Sequence, residues 1–379
     1  MRRNTLDNRE LEELGRLGKK VHGVIENLQS YRKPGTYEPL QEDGKTGFGE
    51  AYPMKATEKF LGYYNAASHI AFNPSVSFTT DFSRVSSFCR YLKGEGRDRV
   101  FLNGVESGRY YRRASPALDI FRKTYGVDGH FQFRITIKRR YREAKGFSES
   151  AAIAGAVAKS LVSCMFESRA TNDLEFASTL ARLVSGSGTR AVFNGVSVWD
   201  SYAGIDERAS CAHPLDIDHS RLRFVAIPAR SSFRTDNAHS AVLSSQFYVD
   251  WVREKLEAVG TYLGGSPSIE DLLERGERDS FNLHSVLVST GNVLFGTSTL
   301  KALENLKKFS DSNPGVHPLM DTGPSIVLCS TDESLLSEFV EFSGMKVIHG
   351  SLPVSVRAAP TKRESVQADE FFSNLGSAK

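Results

Sequence analysis

Cysteine is scarce and scattered. The four residues Cys89, Cys164, Cys211 and Cys329 form no C-x-x-C pair and meet no histidine-rich spacing. That pattern argues against structural zinc and fits reduced thiols in a cytoplasmic protein. No apolar run approaches the ~18 residues of a membrane span. The N-terminal MRRNTLDNRELEELGRLGKK lacks the apolar core of a signal peptide. Charge of one sign is also missing: 48 basic and 45 acidic residues leave a net +3, which gives no bias toward polyanions. There is no internal repeat and no low-complexity tract. What is present is ordinary for a soluble globular chain, 40% hydrophobic and 25% charged over 379 residues, enough for two moderate domains.

Leu6, Leu11, Leu14, Leu17, Val21, Ile25 and Leu28 recur every three to five residues and predict an amphipathic helix over 5–29, packed on its own domain rather than on a partner. Residues 30–49 read as an irregular connector. Strand patterns follow from Glu50, with a tight turn at Asn103-Gly104. Ser115-Pro116 predicts the capped start of a helix over 115–125. Phe131 to Arg140 alternates as a half-buried strand, and 174–183 reads as a helix. Beyond 200 the pattern predicts a strand at 221–228, one long helix over 240–262 and two or three helices within 268–309. Strands at 326–329 and 347–348 flank a helix over 332–342. The tail after Ala358 is polar and predicted to fray, apart from Phe371-Phe372. The expected class is α+β with two lobes: an extension at 1–50, domains at 51–200 and 201–358, and a tail at 359–379.

The stretch Lys138 to Leu161, KRRYREAKGFSESAAIAGAVAKSL, turns from a basic strand end through Gly146 into a helix of small residues. Open N–H groups at a helix start attract anions. Glu149 stands in that first turn, however, and its carboxylate would repel a polyphosphate. The loop therefore reads either as a packing turn or as a phosphate cradle with the wrong charge. The cations Arg139, Arg140, Arg142 and Lys145 read as a solvated strand end, with Arg142 and Lys145 as a possible phosphate clamp. Arg190 follows Ser185-Gly186-Ser187-Gly188, a loop whose hydroxyls and N–H groups could hold a carboxylate beside the guanidinium.

The loop resembles the phosphate motif of the GHMP kinases, with Gly146-Phe147 at its Gly-Leu and Glu149-Ser150 at its two serines. Four further stretches resemble the mevalonate diphosphate decarboxylase branch. They are Lys59-Phe60-Leu61-Gly62-Tyr63, Phe72-Asn73-Pro74-Ser75-Val76-Ser77, Ser185 to Arg190 followed by Phe193-Asn194-Gly195 and Trp199, and Met320-Asp321-Thr322-Gly323-Pro324. The resemblance covers roughly 52–345 and implies a two-lobed GHMP-kinase-like fold, with an N-lobe like domain 2 of a small-subunit ribosomal protein and an α/β C-lobe.

It also implies roles. Asp321, Arg190 and Lys59 become the catalytic candidates, with Arg190 on the C1 carboxylate and Asp321 at the C3 substituent. Ser185, Gly186, Ser187, Asn73, Tyr63, Arg234 and Thr235 become substrate-binding candidates. Arg234 lies within one residue of a phosphate-binding arginine of bacterial relatives. His284, in a helix matching the family's M-H-A-T, reads as structural. Gly146, Glu149 and Ser150 form a degenerate phosphate loop.

Family members of this branch phosphorylate a C3 hydroxyl with ATP before losing phosphate and CO2. An archaeal-type variant takes mevalonate 3,5-bisphosphate and performs only the elimination. Two departures point to the variant: Glu149 deters a triphosphate, and Tyr63 replaces a lysine that helps hold a 5-diphosphate. The expectation is an ATP-independent carboxy-lyase acting on a small molecule, with no cofactor, no metal, no nucleic acid and no membrane, and a possible homodimer. The alternatives are an ATP- and Mg-dependent decarboxylase and a non-catalytic binding protein of the same fold.

Overall fold

The structure, a computed structural model, describes residues 6–141, 147–229 and 235–377. The first element is α1 (Asn8–Glu26), opened by a capping box between Asp7 and Glu10. Next come β1 (Thr46–Ala51), β2 (Met54–Glu58), the small hairpin β3 (Tyr63–Asn65) and β4 (Ile70–Ala71), β5 (Ser75–Thr79), β6 (Ser83–Leu92), β7 (Arg99–Leu102) and β8 (Val105–Glu106). Then follow α2 (Gly108–Tyr125), β9 (His130–Arg139), α3 (Glu149–Met165), α4 (Ser168–Thr171), α5 (Leu174–Val184), α6 (Gly188–Ala191) and β10 (Val196–Trp199). The remainder is β11 (Ala212–Pro214), β12 (Arg223–Ile227), α7 (Thr235–Ala241), α8 (Tyr248–Gly264), α9 (Ile269–Ser289), α10 (Thr297–Ser310), β13 (His317–Met320), β14 (Ile326–Ser330), α11 (Glu333–Ser343), β15 (Ile348–Gly350) and α12 (Lys362–Ser377).

Three sheets carry the molecule, with strand orders β1-β6-β9-β7-β8, β11-β10-β5-β2 and β13-β14-β12-β15. Helix α3 lies on the first of them. Its Ala151, Ala152, Ala154, Ala156 and Ala158 are buried, as its run of small residues predicts for a tightly packed face. The third sheet meets the second through α9, which packs on both β13 and β2. That packing brings two of the candidate stretches, one near residue 59 and one near residue 321, into one place.

Helix α1 packs along α8, and its Leu14, Val21 and Ile25 share a core with Val76, Val198, Phe224, Trp251 and Leu287. At its C-terminal end His22 reaches the fully buried Asp200 at 2.5 Å. The Asn103-Gly104 turn is as predicted, with both residues at positive φ, 49° and 87°.

Three local readings need correction. The helix expected over 115–125 starts earlier, at Gly108, and Pro116 lies inside it. Pro116 is on the exposed side, where water can satisfy the Arg112 carbonyl that loses its N–H partner. The helix expected over 240–262 is two helices. Between α7 and α8 a short 3-10 turn ends at Ser245, whose hydroxyl accepts the Phe247 N–H at 3.1 Å and competes with helix continuation.

The third correction is the tail. It is not frayed: α12 lays Ala368 and Phe372 onto Phe48 and Phe88 of the first sheet. Arg357 ties it down by bonding Glu50 (Nε to Oε2, 2.9 Å) and Glu364 (Nη1 to Oε2, 2.6 Å). That contact pulls the Glu364 carboxyl down to about 2.

Phe372 is 2% exposed, so Phe372→Ala should lower unfolding free energy by about 3 kcal/mol. Chemical denaturation checks this, and a change below about 0.5 kcal/mol would show that α12 is not docked.

Candidate functional site

Strand β2 delivers the first half of the site. All five of its residues are buried, and a register shift between Ala56 and Glu58 breaks its pairing with β5. Such a bulge re-aims side chains, and here it lies between two lysines, Lys55 and Lys59. Lys59 is 3% exposed and donates from Nζ to the carbonyls of Ala56 (3.0 Å) and Gly276 (3.3 Å). Burial pulls its ammonium down to about 8, while Asp279 and Asp321 act against that fall.

Helix α9 supplies the support. Gly276, Asp279, Ser280 and His284 sit three, four and eight residues apart and share one face. Gly276 is needed for close approach, because a Cβ there would lie 2.7 Å from Leu319 Cδ2 and 3.1 Å from Thr57 Cα. Asp279 accepts the Lys59 backbone N–H at 2.7 Å and the Trp251 indole N–H at 3.1 Å, and pairs with Lys255 at 2.7 Å. Lys255 also pairs with Glu58 at 2.9 Å, and Glu58 with Arg275 at 2.7 Å. This cluster is balanced in charge and locks the end of β2 to α8 and α9.

The same helix sets the second half. Ser280 Oγ accepts the Met320 N–H at 3.0 Å and donates to the Gly276 carbonyl at 2.6 Å. Asp321 follows directly, partly exposed, and its Oδ2 lies 3.0 Å from Lys55 Nζ. His284, 2% exposed, stacks on Phe295 with ring centres 4.4 Å apart. Burial, then the charge of Lys59, pushes its imidazole down to about 4, so it is neutral near pH 7.

Arg190 on α6 completes the group. It is 1% exposed, donates from Nη1 to the Val76 carbonyl at 3.3 Å, and lies 5.8 Å from the centre of the Phe60 ring. Burial pulls it down to about 9, still charged at neutral pH, and the charge of Asp321 acts most against that fall. Among the described residues its Nε has no partner, and neither do Ser77 Oγ or Asn73 Oδ1. Buried polar atoms are rarely left so, and the Arg190 Nε is available to a polar ligand.

The predicted residues are distributed unevenly. Lys59, Arg190 and Asp321 are brought together. Ser185 and Ser187 bond each other at 3.1 Å. Gly186 is a close approach, where a Cβ would meet Phe60, Trp199 and the Tyr63 hydroxyl within 3.2 Å. Tyr63 stacks on His239 at 4.4 Å and 13° between planes. Asn73 is fully buried and donates to the carbonyls of Lys59 (3.1 Å) and Pro74 (2.6 Å), so its amide N–H groups position Lys59. Arg142, Lys145, Gly146 and Arg234 lie outside the described residues, as does the side chain of Thr235. Lys55, Asp279 and Lys255 were not anticipated. The polar spacing of Gly276, Asp279, Ser280 and His284 along one helix face was the available signal for α9.

The start of α3 differs in one respect from the expectation. Glu149 is not an unopposed charge: Arg139 grips it with two bonds of 2.6 and 2.7 Å, and the Tyr141 hydroxyl adds a third at 3.2 Å. The N–H groups of Ala151 and Ala152 are taken by the Ser148 carbonyl at 3.0 and 3.4 Å. The described start of α3 thus carries a carboxylate already held by Arg139, a poor match to a nucleotide phosphate. Among the described residues no group of His, Cys, Asp and Glu is arranged to hold a metal, and no helix is long and apolar enough to cross a membrane.

Comparison with known proteins follows the same lines. Residues 51–212 match the family described as diphosphomevalonate decarboxylase-like N-terminal domain. The chain is 42% identical over 342 residues to the mevalonate 3,5-bisphosphate decarboxylase of Thermoplasma acidophilum, covering 90% of this chain and 84% of that one. It is 37% identical over 363 residues to the enzyme of that name from Thermoplasma volcanium, covering 96% and 97%. Among solved structures, mevalonate diphosphate decarboxylase from Staphylococcus aureus superposes with a TM-score of 0.71 at 19% identity, over 82% of this chain and 96% of that one. Mevalonate-3-kinase from Thermoplasma acidophilum gives 0.65 at 15%, over 84% and 100%. At those identities the structures establish the shared GHMP-kinase-like fold.

If Lys59 acts as a cation, kcat/KM should fall as pH rises through about 8, because the free site loses its ammonium there. A profile flat to about pH 10, the range of an unperturbed lysine, would contradict that role.

Proposed function

The chain belongs to the mevalonate 3,5-bisphosphate decarboxylase family, and from that premise we propose that it converts mevalonate 3,5-bisphosphate to isopentenyl phosphate, CO2 and inorganic phosphate without ATP or a metal. The observation that carries the reading is the charge of the site. Lys55, Lys59 and Arg190 surround one carboxylate, Asp321, an excess of two positive charges in a largely buried setting.

The chemistry needs such an excess. The C1–C2 bond breaks and CO2 leaves. Its electron pair becomes the C2–C3 double bond, and the C3–O bond breaks with its pair on the phosphate. No proton leaves the carbon skeleton, so no general base is required. The leaving phosphate gains one negative charge, and preorganised cations stabilise that charge without reorganisation. In this reading Arg190 holds the carboxylate through its unpartnered Nε, and Lys59 faces the phosphate. Asp321 has no hydroxyl to deprotonate; its charge stabilises the carbon that turns positive as phosphate departs. The carboxylate of Glu149 in the first turn of α3 supports the absence of a nucleotide step.

Purified protein should release CO2 and phosphate in equal amounts from mevalonate 3,5-bisphosphate without nucleotide, and calorimetry should detect no Mg-ATP binding at about millimolar concentration. Strict dependence on ATP overturns the proposal. Arg190→Ala should lower kcat/KM by roughly 100-fold or more. Retention of about a tenth of the activity, a barrier change near 1.4 kcal/mol, removes Arg190 from the site. Because Tyr63, which the motif resemblance places at the family's second lysine, stacks on His239 and offers no charge, a 5-monophosphate should be preferred to a 5-diphosphate. Equal kcat/KM for the two would remove that argument.

A further inference from the structure

The cation nearest Asp321 is Lys55, not Lys59. Lys55 is 2% exposed, lies on β2, and places Nζ 3.0 Å from Asp321 Oδ2. Lys55 and Lys59 flank the bulge of β2, and the charges of both are felt at His284 and Cys329. Each ammonium has three donors. Lys55 commits one to Asp321 and Lys59 commits two to main-chain carbonyls, so among the described residues two and one remain, three in all. A phosphate group presents three terminal oxygens.

The charge argument runs the same way. A lone carboxylate at Asp321 would repel a doubly charged phosphate on the neighbouring carbon. Like charges held side by side in a partly buried site repel far more strongly than in water. A lysine bonded to that carboxylate cancels the repulsion and offers donors to the incoming group. We propose, resting on the functional reading above, that Lys55 is a substrate-contacting residue that selects the 3-phosphate and stabilises it as it leaves. Lys55 thereby lets Asp321 stand beside a phosphorylated tertiary carbon, which an unpaired aspartate would disfavour.

Lys55→Met and Lys55→Gln test this; the glutamine can still donate to Asp321 but carries no charge. The two probes are mevalonate 3,5-bisphosphate, followed by turnover, and mevalonate 5-phosphate, which has no leaving group and is followed by calorimetry. Both variants should lose roughly 10- to 100-fold or more in kcat/KM on the bisphosphate, as expected for a charged hydrogen bond. Their affinity for the 5-phosphate should stay within about threefold of wild type. Equal losses on both ligands would make Lys55 a merely structural anchor of Asp321 and overturn the inference. Activity of Lys55→Gln within about threefold of wild type would overturn it as well. If the wild-type protein itself fails to convert the bisphosphate, the functional reading falls and this inference with it. Wild-type turnover with unaffected variants removes Lys55 alone.

Discussion

The site depends on the anchoring of Lys59. An ammonium removed from water is costly unless its donors are met. Here two are met by the carbonyls of Ala56 and Gly276, while Asp279 holds the Lys59 main chain from behind. Asp279 is in turn neutralised by Lys255, and Glu58 by Lys255 and Arg275. The supporting charges cancel among themselves. The charges of Lys55, Lys59 and Arg190 exceed that of Asp321, and that division sets a balanced frame beside a cationic site.

The frame also explains why residues far apart in the chain act together. One face of α9 touches both β2 and β13, holding Lys59 through Gly276 and Asp279, and Met320 through Ser280. A displacement of α9 would move both halves together. Breaking a buried pair such as Lys255–Asp279 leaves an uncompensated charge, an effect of about 3–5 kcal/mol.

Much of this was legible in the sequence, and the reasons are physical. Lys59, Arg190 and Asp321 each stand in a short stretch, Lys59 to Tyr63, Ser185 to Arg190 and Met320 to Pro324, that resembles a motif of the mevalonate diphosphate decarboxylases, so the stretches could be identified one by one. Lys55 left no such mark, because its partner stands 266 residues away and a lysine inside MKATE has no periodic signature. The α9 stripe was visible as spacing but not as contact, since nothing in a helix pattern says which sheet it meets. The tail was misread on composition. Its Ala368, Phe371, Phe372 and Leu375 have helical spacing, and the four side chains cover Phe48 and Phe88. Glu149 was placed correctly at a helix start, but its partner Arg139 lies ten residues earlier, on the strand that feeds the loop.

The central claim is that the cationic site acts on the C3–O bond, so that phosphate leaves carrying that oxygen as CO2 departs. The most direct test is to label the bridging C3 oxygen of mevalonate 3,5-bisphosphate with heavy oxygen and to analyse the inorganic phosphate released. The account predicts full retention of the label in phosphate, with CO2 formed in equal amount. Unlabelled phosphate, or phosphate released without CO2, would mean that water attacks phosphorus instead and would contradict it.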